Sequence, residues 1–148
     1  MYIVRETLEG AALAAAVANA TEADRAAIVA ANELLQQAID DDDPLTYHRE
    51  SRCFHLALSR PSRMFRLLHM LESAWNITEP VQSMVHVTPS HRAALHVDHR
   101  QMVDAFLVGD VEELLTVAEV HAQRLNSVIA TLSTDSGLLR PTDISSAQ

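Results

Sequence analysis

Apolar residues recur along most of the chain at three- and four-residue spacing, with polar residues filling the faces between them. That pattern predicts a succession of amphipathic helices. A first helix is expected from about Tyr2 to Asn19, with Ile3, Leu8, Ala11, Ala12 and Ala15 facing inward. Thr21 is placed to cap a second, whose buried stripe is Ile28, Ala31, Leu35 and Ala38. The acidic run Asp40 to Asp43 ends at Pro44. Asp43 as cap and Pro44 at the first helical position start a third helix that reaches about Ser59. The run lacks the regular ligand spacing of a calcium loop. Pro61-Ser62 reads as the start of a fourth helix ending near Trp75. Between Asn76 and Ser90 the period weakens around Pro80 and Pro89, so a loop with one short helical turn is expected. Ser90 then caps a fifth helix to Val108, and Gly109 takes the position just past its end. Asp110-Val111-Glu112-Glu113 opens a last helix to about Leu132. Residues from Thr134 to Gln148 are aperiodic and rich in Ser, Thr and Asp, the pattern of a flexible tail.

Composition agrees with an all-α domain. Only three Gly and five Pro punctuate 148 residues, a length suited to one hydrophobic core. With 48% apolar residues, the chain can fold without staples. Cys53 is the only cysteine, which excludes an internal disulfide and fits a reducing compartment. No apolar run is long enough to span a bilayer and no leader pattern opens the chain, so a cytoplasmic location is expected. The eleven basic residues are all arginine and stand against 20 acidic ones, a formal charge of −9. A domain that binds DNA by itself needs a basic face to displace counterions from phosphates. Only Arg60, Arg63 and Arg66 approach one, so direct nucleic-acid binding by this chain is not expected.

The chemistry lies in the histidines. Ser51, Phe54, His55 and Leu58 share one face of the third helix. Leu95, His99, Met102, Val103 and Phe106 do so on the fifth, and Leu114, Ala118, His121, Leu125 and Val128 on the last. One inward imidazole is commonplace, because a backbone group can satisfy it. Three on three helices each need partners for two ring nitrogens where water is scarce, and a shared metal or polar ligand would serve all three. Imidazole suits Zn, Ni, Fe or Cu, and three protein ligands leave a position open to water or an exogenous ligand. His48 lies two turns before His55, about 10 Å along the axis, too far to share an ion. His69, His86 and His91 read as surface or packing residues, and His96 belongs to a locally His-rich stretch.

These residues resemble a known family. Tyr2 to Glu9, with Arg5 and Glu9 four apart, is similar to the first helix of the FCD domain, the C-terminal effector-binding half of FadR-type GntR transcription regulators. Phe54-His55 resembles its Phe-His motif. His99 with Asp104-Ala105 and Gly109-Asp110 resembles its His, Ala and Gly-Asp signature, and His121 with Leu125 its last-helix histidine. The resemblance covers about Tyr2 to Ala130. It implies an antiparallel bundle of six or seven helices around a pocket, with residues 1–132 forming the domain and 133–148 a tail. It also implies a homodimer, a small organic-acid effector, and a divalent metal bound by one Asp and three His. His55, His99 and His121 match the three histidines, whereas the Asp position, one turn before His55, is Ser51. Losing that carboxylate leaves two readings open: a three-His site for Zn or Ni, or direct hydrogen bonding of an organic anion by Ser51 and the histidines. Members carry a winged-helix DNA-binding domain ahead of this one. This chain begins where that domain would end, so it reads either as part of a regulator or as a stand-alone sensor.

Arg5 is the candidate anion clamp, since guanidinium binds carboxylate through a two-bond fork, although pairing with Glu9 at i,i+4 is the simpler role. Arg92 and Arg100 are weaker candidates, and Trp75 and Asn76 are placed to line a mouth. The rival reading is a metal-dependent enzyme on a helical bundle. It would want an acidic general base, and no acidic residue falls on the His-bearing stripes. A non-enzymatic sensor is therefore expected. A pure dimerisation module would leave the inward histidines without a purpose.

Overall fold

The computed structural model describes residues 2–78 and 83–136, with side chains as far as 132. Among these residues the chain is helical throughout, with no strand. The helices are α1 (Tyr2–Asn19), α2 (Glu22–Asp40), α3 (Pro44–Ser59), α4 (Phe65–Thr78), α5 (Ser83–His86), α6 (Pro89–Val108) and α7 (Val111–Ser136). The last, at 26 residues, is about 39 Å long. No described helix is long and apolar enough to cross a membrane.

Local chemistry starts and stops these helices largely where the side chains require. Thr21 and Asp24 form a reciprocal capping box, and Asp43 accepts from Thr46 N–H with Pro44 in the first turn. Gly109 ends α6 with φ at 76°, a left-handed conformation natural to glycine, and Asp110 accepts from Glu113 N–H to start α7. Three boundaries differ from expectation. Arg60–Ser62 forms a 3-10 turn instead of opening α4, because Arg63 is left-handed (φ 61°) and its N–H closes onto Arg60 O. The cap of α6 is Thr88, whose hydroxyl accepts from His91 N–H; Pro89 therefore occupies the first turn, where its missing N–H costs nothing. Helix α7 runs through Ser136, past the expected end at Leu132. Pro80 and the tail beyond Ser136 lie outside the described residues.

Two short connections fold α2 against α3 and α6 against α7, and α1 packs across α4 and α7. The core between them includes Leu13, Ile28, Leu35, Tyr47, Phe54, Leu58, Leu95, Met102, Phe106 and Leu114, each almost wholly buried. Each large apolar side chain of this kind contributes about 1.5–3 kcal/mol. The stripes of α2, α3, α6 and α7 face inward as their periodicity predicts. Helix α1 does not follow its expected phase. Ile3 is 72% exposed and Ala11 is also exposed, while the buried positions are Arg5, Glu9, Ala12, Leu13 and Ala16. The helix is turned so that two charged side chains point inward, and both find partners there.

Candidate metal and effector site

His55 from α3, His99 from α6 and His121 from α7 converge in the bundle interior. One ring nitrogen from each lies within 4.8 Å of the others, and the ring centroids stand 4.6–5.2 Å apart. All three residues are at most 5% exposed. Each ring turns Nδ1 outward to an oxygen. His55 Nδ1–H donates to Glu9 Oε1 at 2.5 Å, and His121 Nδ1–H to Asp98 Oδ2 at 3.4 Å. His99 Nδ1 lies 3.5 Å from the Tyr47 hydroxyl, whose own proton is directed to Arg92 O at 3.4 Å. Burial raises the Tyr47 pKa, so the phenol stays protonated.

With Nδ1 of each ring directed to an oxygen, Nε2 is the nitrogen left without that contact. His99 Nε2 is buried with no hydrogen-bond partner, a costly state for a polar atom. Burial, reinforced by the neighbouring His121 and His55, holds the His99 pKa well below the ordinary imidazole value. Burial also lowers that of His121, opposed by the hydrogen bond to Asp98. Lowered pKa values keep His99 and His121 neutral, and a neutral ring whose Nδ1 contacts an oxygen has Nε2 free to bind a metal. A tetrahedral zinc site needs nitrogens about 3.3 Å apart, so small ring rotations suffice. The residues present fit a divalent ion that favours nitrogen ligands.

Ser51 is buried one turn before His55 and lines the same narrow space of about 20 Å³, with Tyr47, His48, Trp75, Thr78 and the three histidines. That volume holds about one water-sized group. Arg5 enters from α1 with its guanidinium stacked 3.6 Å above the Trp75 ring and 4.9 Å from Tyr2, and it donates to Thr78 Oγ1 at 3.4 Å. A larger chamber of about 250 Å³ lies on the other side of His55 and His121, between α1 and α7. It shares Arg5 and Leu125 with the narrow space, and its further walls carry Glu6, Glu9 and Glu119 alongside Met102, Leu115 and Ala118.

The structure brings Ser51, Arg5 and the three histidines, all expected site residues, together. Arg92 does something else. Its buried guanidinium bonds Asp42 Oδ1, Met84 O and Val87 O, tying α5 to α6 and to the α2–α3 turn. Arg100 is exposed. Trp75 lies inside α4, which continues to Thr78. No acidic residue lies on the His-bearing stripes, yet two carboxylates from elsewhere reach the histidines. Asp98 is 2% exposed beside His121 and also accepts from Arg124 Nε at 2.9 Å, while Glu9 pairs with His55. Glu9 and Asp98 lie on none of the His-bearing stripes, because each meets its histidine across a helix boundary, whereas Tyr47 continues the α3 stripe four residues before Ser51. One signal does exist for Asp98. An antiparallel hairpin turning at Gly109-Asp110 sets residue 98 opposite residue 121, eleven or so positions on either side.

A chamber with a mainly apolar wall and a few charged groups, beside buried histidines, is the kind of cavity that takes a small ligand. The family model of the FCD domain matches residues 1–124, and this chain belongs to that family. Among solved structures it is similar to E. coli McbR/YncC, with a TM-score of 0.79 and 25% identity over 87% of this chain. The match spans 65% of that chain's length. No curated protein matches the sequence.

Proposed function

We propose that this chain is the effector-sensing and dimerising domain of a GntR/FadR-type transcription regulator, with a Zn or Ni ion held by His55, His99 and His121. The observation that carries the reading is the convergence of three buried histidines, with one ring nitrogen of each within 4.8 Å of the others while every Nδ1 contacts an oxygen. When bound, such an ion would supply an open coordination position for an anionic group. Arg5, flattened on Trp75, supplies a second anion contact beside it, and Ser51 a hydroxyl. The 250 Å³ chamber limits the effector to a small metabolite. Its carboxylate would face Arg5 and the histidines. Glu6 and Glu119 on the remaining wall favour a molecule that also carries hydroxyl or amino donors.

The carboxylates beside the histidines do not revive the enzyme reading. Glu9 and Asp98 both contact the outward nitrogens, so the imidazole rings stand between them and the shared centre. That geometry makes both carboxylates orienting partners of the rings, and Glu9 also reaches the chamber wall. Exposed Met70 and Ile77, seven residues apart on α4, offer an apolar face that supports dimerisation. Any control of DNA would act through a domain other than this one.

The test is elemental analysis of protein purified without a nickel column, followed by thermal shift against small hydroxy and amino acids with and without EDTA. Near-stoichiometric Zn or Ni is expected, with a melting temperature that rises with effector concentration. Metal-free protein that cannot be reloaded, with no acid shifting its melting, would sink the proposal.

A further inference from the structure

The inner ring of the site consists of three imidazoles and the Ser51 hydroxyl, with no carboxylate to offset a divalent charge. We infer that Glu9 and Asp98 are positioning residues that supply negative charge to the site one bond further out, through His55 and His121. The inference rests on the metal reading above.

The choice of acceptors is what points to this role. A buried imidazole N–H needs only a neutral oxygen, and burying a carboxylate costs several times more. His96, adjacent to His99 but outside the triad, has the cheaper solution: its Nε2 lies 3.1 Å from the side-chain oxygen of Gln36. Two of the three triad histidines instead contact carboxylates. The Asp98 side chain is 3% exposed and that of Glu9 11%, so neither is a surface group that happens to reach inward. A carboxylate on Nδ1–H fixes the tautomer and raises the basicity of Nε2, strengthening its bond to a cation. Helix α1 is rotated away from its apolar phase with Glu9 inside, a placement that apolar packing alone does not explain. Glu9 should carry more of the effect, because its contact is shorter and Asp98 shares its charge with Arg124.

The experiment measures Zn²⁺ affinity of EDTA-stripped protein by competition with a fluorescent chelator. It compares wild type with Glu9→Gln, Asp98→Asn and the Glu9→Gln/Ser51→Asp double variant. Glu9→Gln is expected to bind Zn²⁺ about 10- to 100-fold more weakly and Asp98→Asn less so, the range typical for lost outer partners of metal-bound histidine. Ser51→Asp should recover most of the Glu9→Gln loss by returning a carboxylate to the inner ring. The Co²⁺ absorption spectrum should keep its band positions in Glu9→Gln, because the three nitrogen ligands are unchanged. If Glu9→Gln does not fold, Asp98→Asn with and without Ser51→Asp makes the same comparison. Variants that bind within about threefold of wild type, or a double variant no tighter than Glu9→Gln, would overturn the inference while the metal reading stood. Wild type with no measurable Zn²⁺ binding would remove the metal reading itself.

Discussion

Replacing His99 with leucine should stabilise the metal-free protein and destabilise the metal-loaded one. The His99 ring is about 1% exposed, and its Nε2 has no hydrogen-bond partner. A buried, unsatisfied polar atom costs about 1–3 kcal/mol, and His99→Leu removes that cost with a side chain of similar bulk. The substitution also gives up the long Tyr47 contact, worth about 0.5–1 kcal/mol, but the Tyr47 hydroxyl keeps its bond to Arg92 O. The net gain without metal is about 1 kcal/mol, or about 2–4 °C in a chain of this size. At free Zn²⁺ about a hundredfold above Kd, the wild type gains about 2.7 kcal/mol that a two-histidine site largely forgoes. The order of stability therefore reverses. Urea denaturation in EDTA and in buffered Zn²⁺ reads both arms. A loss of more than about 1 kcal/mol for His99→Leu in EDTA would refute the unsatisfied-nitrogen cost, and equal Zn²⁺ shifts of both midpoints would refute the ligand role.

In EDTA, acid should unfold the protein through its histidines. Burial lowers the pKa of His96 to about 4 and depresses those of His99 and His121. The unfolded chain thus takes up protons first, and stability present above about pH 6.5 is lost as pH falls toward 4. His96→Gln should flatten that slope by about 2 kcal/mol between about pH 7 and 4 in urea titrations. Gly109→Ala meets no atom within 4 Å yet must adopt a φ of +76°, so a loss of about 1 kcal/mol by denaturation would reflect backbone conformation alone. Arg5→Lys keeps the charge but loses the planar fork and much of the stacking on Trp75. Effector affinity measured by calorimetry should fall about tenfold, with metal content unchanged.

The parts of this fold legible in the sequence are those decided within one helix. The caps at Thr21, Asp43 and Gly109 depend on neighbours a few residues away, and the stripes of α2, α3, α6 and α7 follow their own periodicity. The three histidines stand out because each occupies an apolar stripe. What could not be read depends on a second helix. Arg5 and Glu9 look like a surface pair at i,i+4, and only Trp75 and His55 from α4 and α3 make their burial favourable. Asp98 is on no apolar stripe, and its partners His121 and Arg124 both come from α7. The cap of α6 lies two residues before the expected one because Thr88 and Ser90 are both competent caps, and the structure uses the one that leaves Pro89 in the first turn.

The length of α7 gives the position of His121 a mechanical meaning. The histidine sits ten residues from the start of the helix, and fifteen residues, about 22 Å, extend from it to Ser136. An α-helix is stiff on that scale, so the imidazole acts as a fulcrum with unequal arms. A tilt of about 5° at His121, the size of adjustment that tightening three rings on one ion can require, displaces the far end by about 2 Å. An ion that drew the three rings together would in this way turn the chemistry of a single ring nitrogen into a displacement of at least a bond length at the far end of α7.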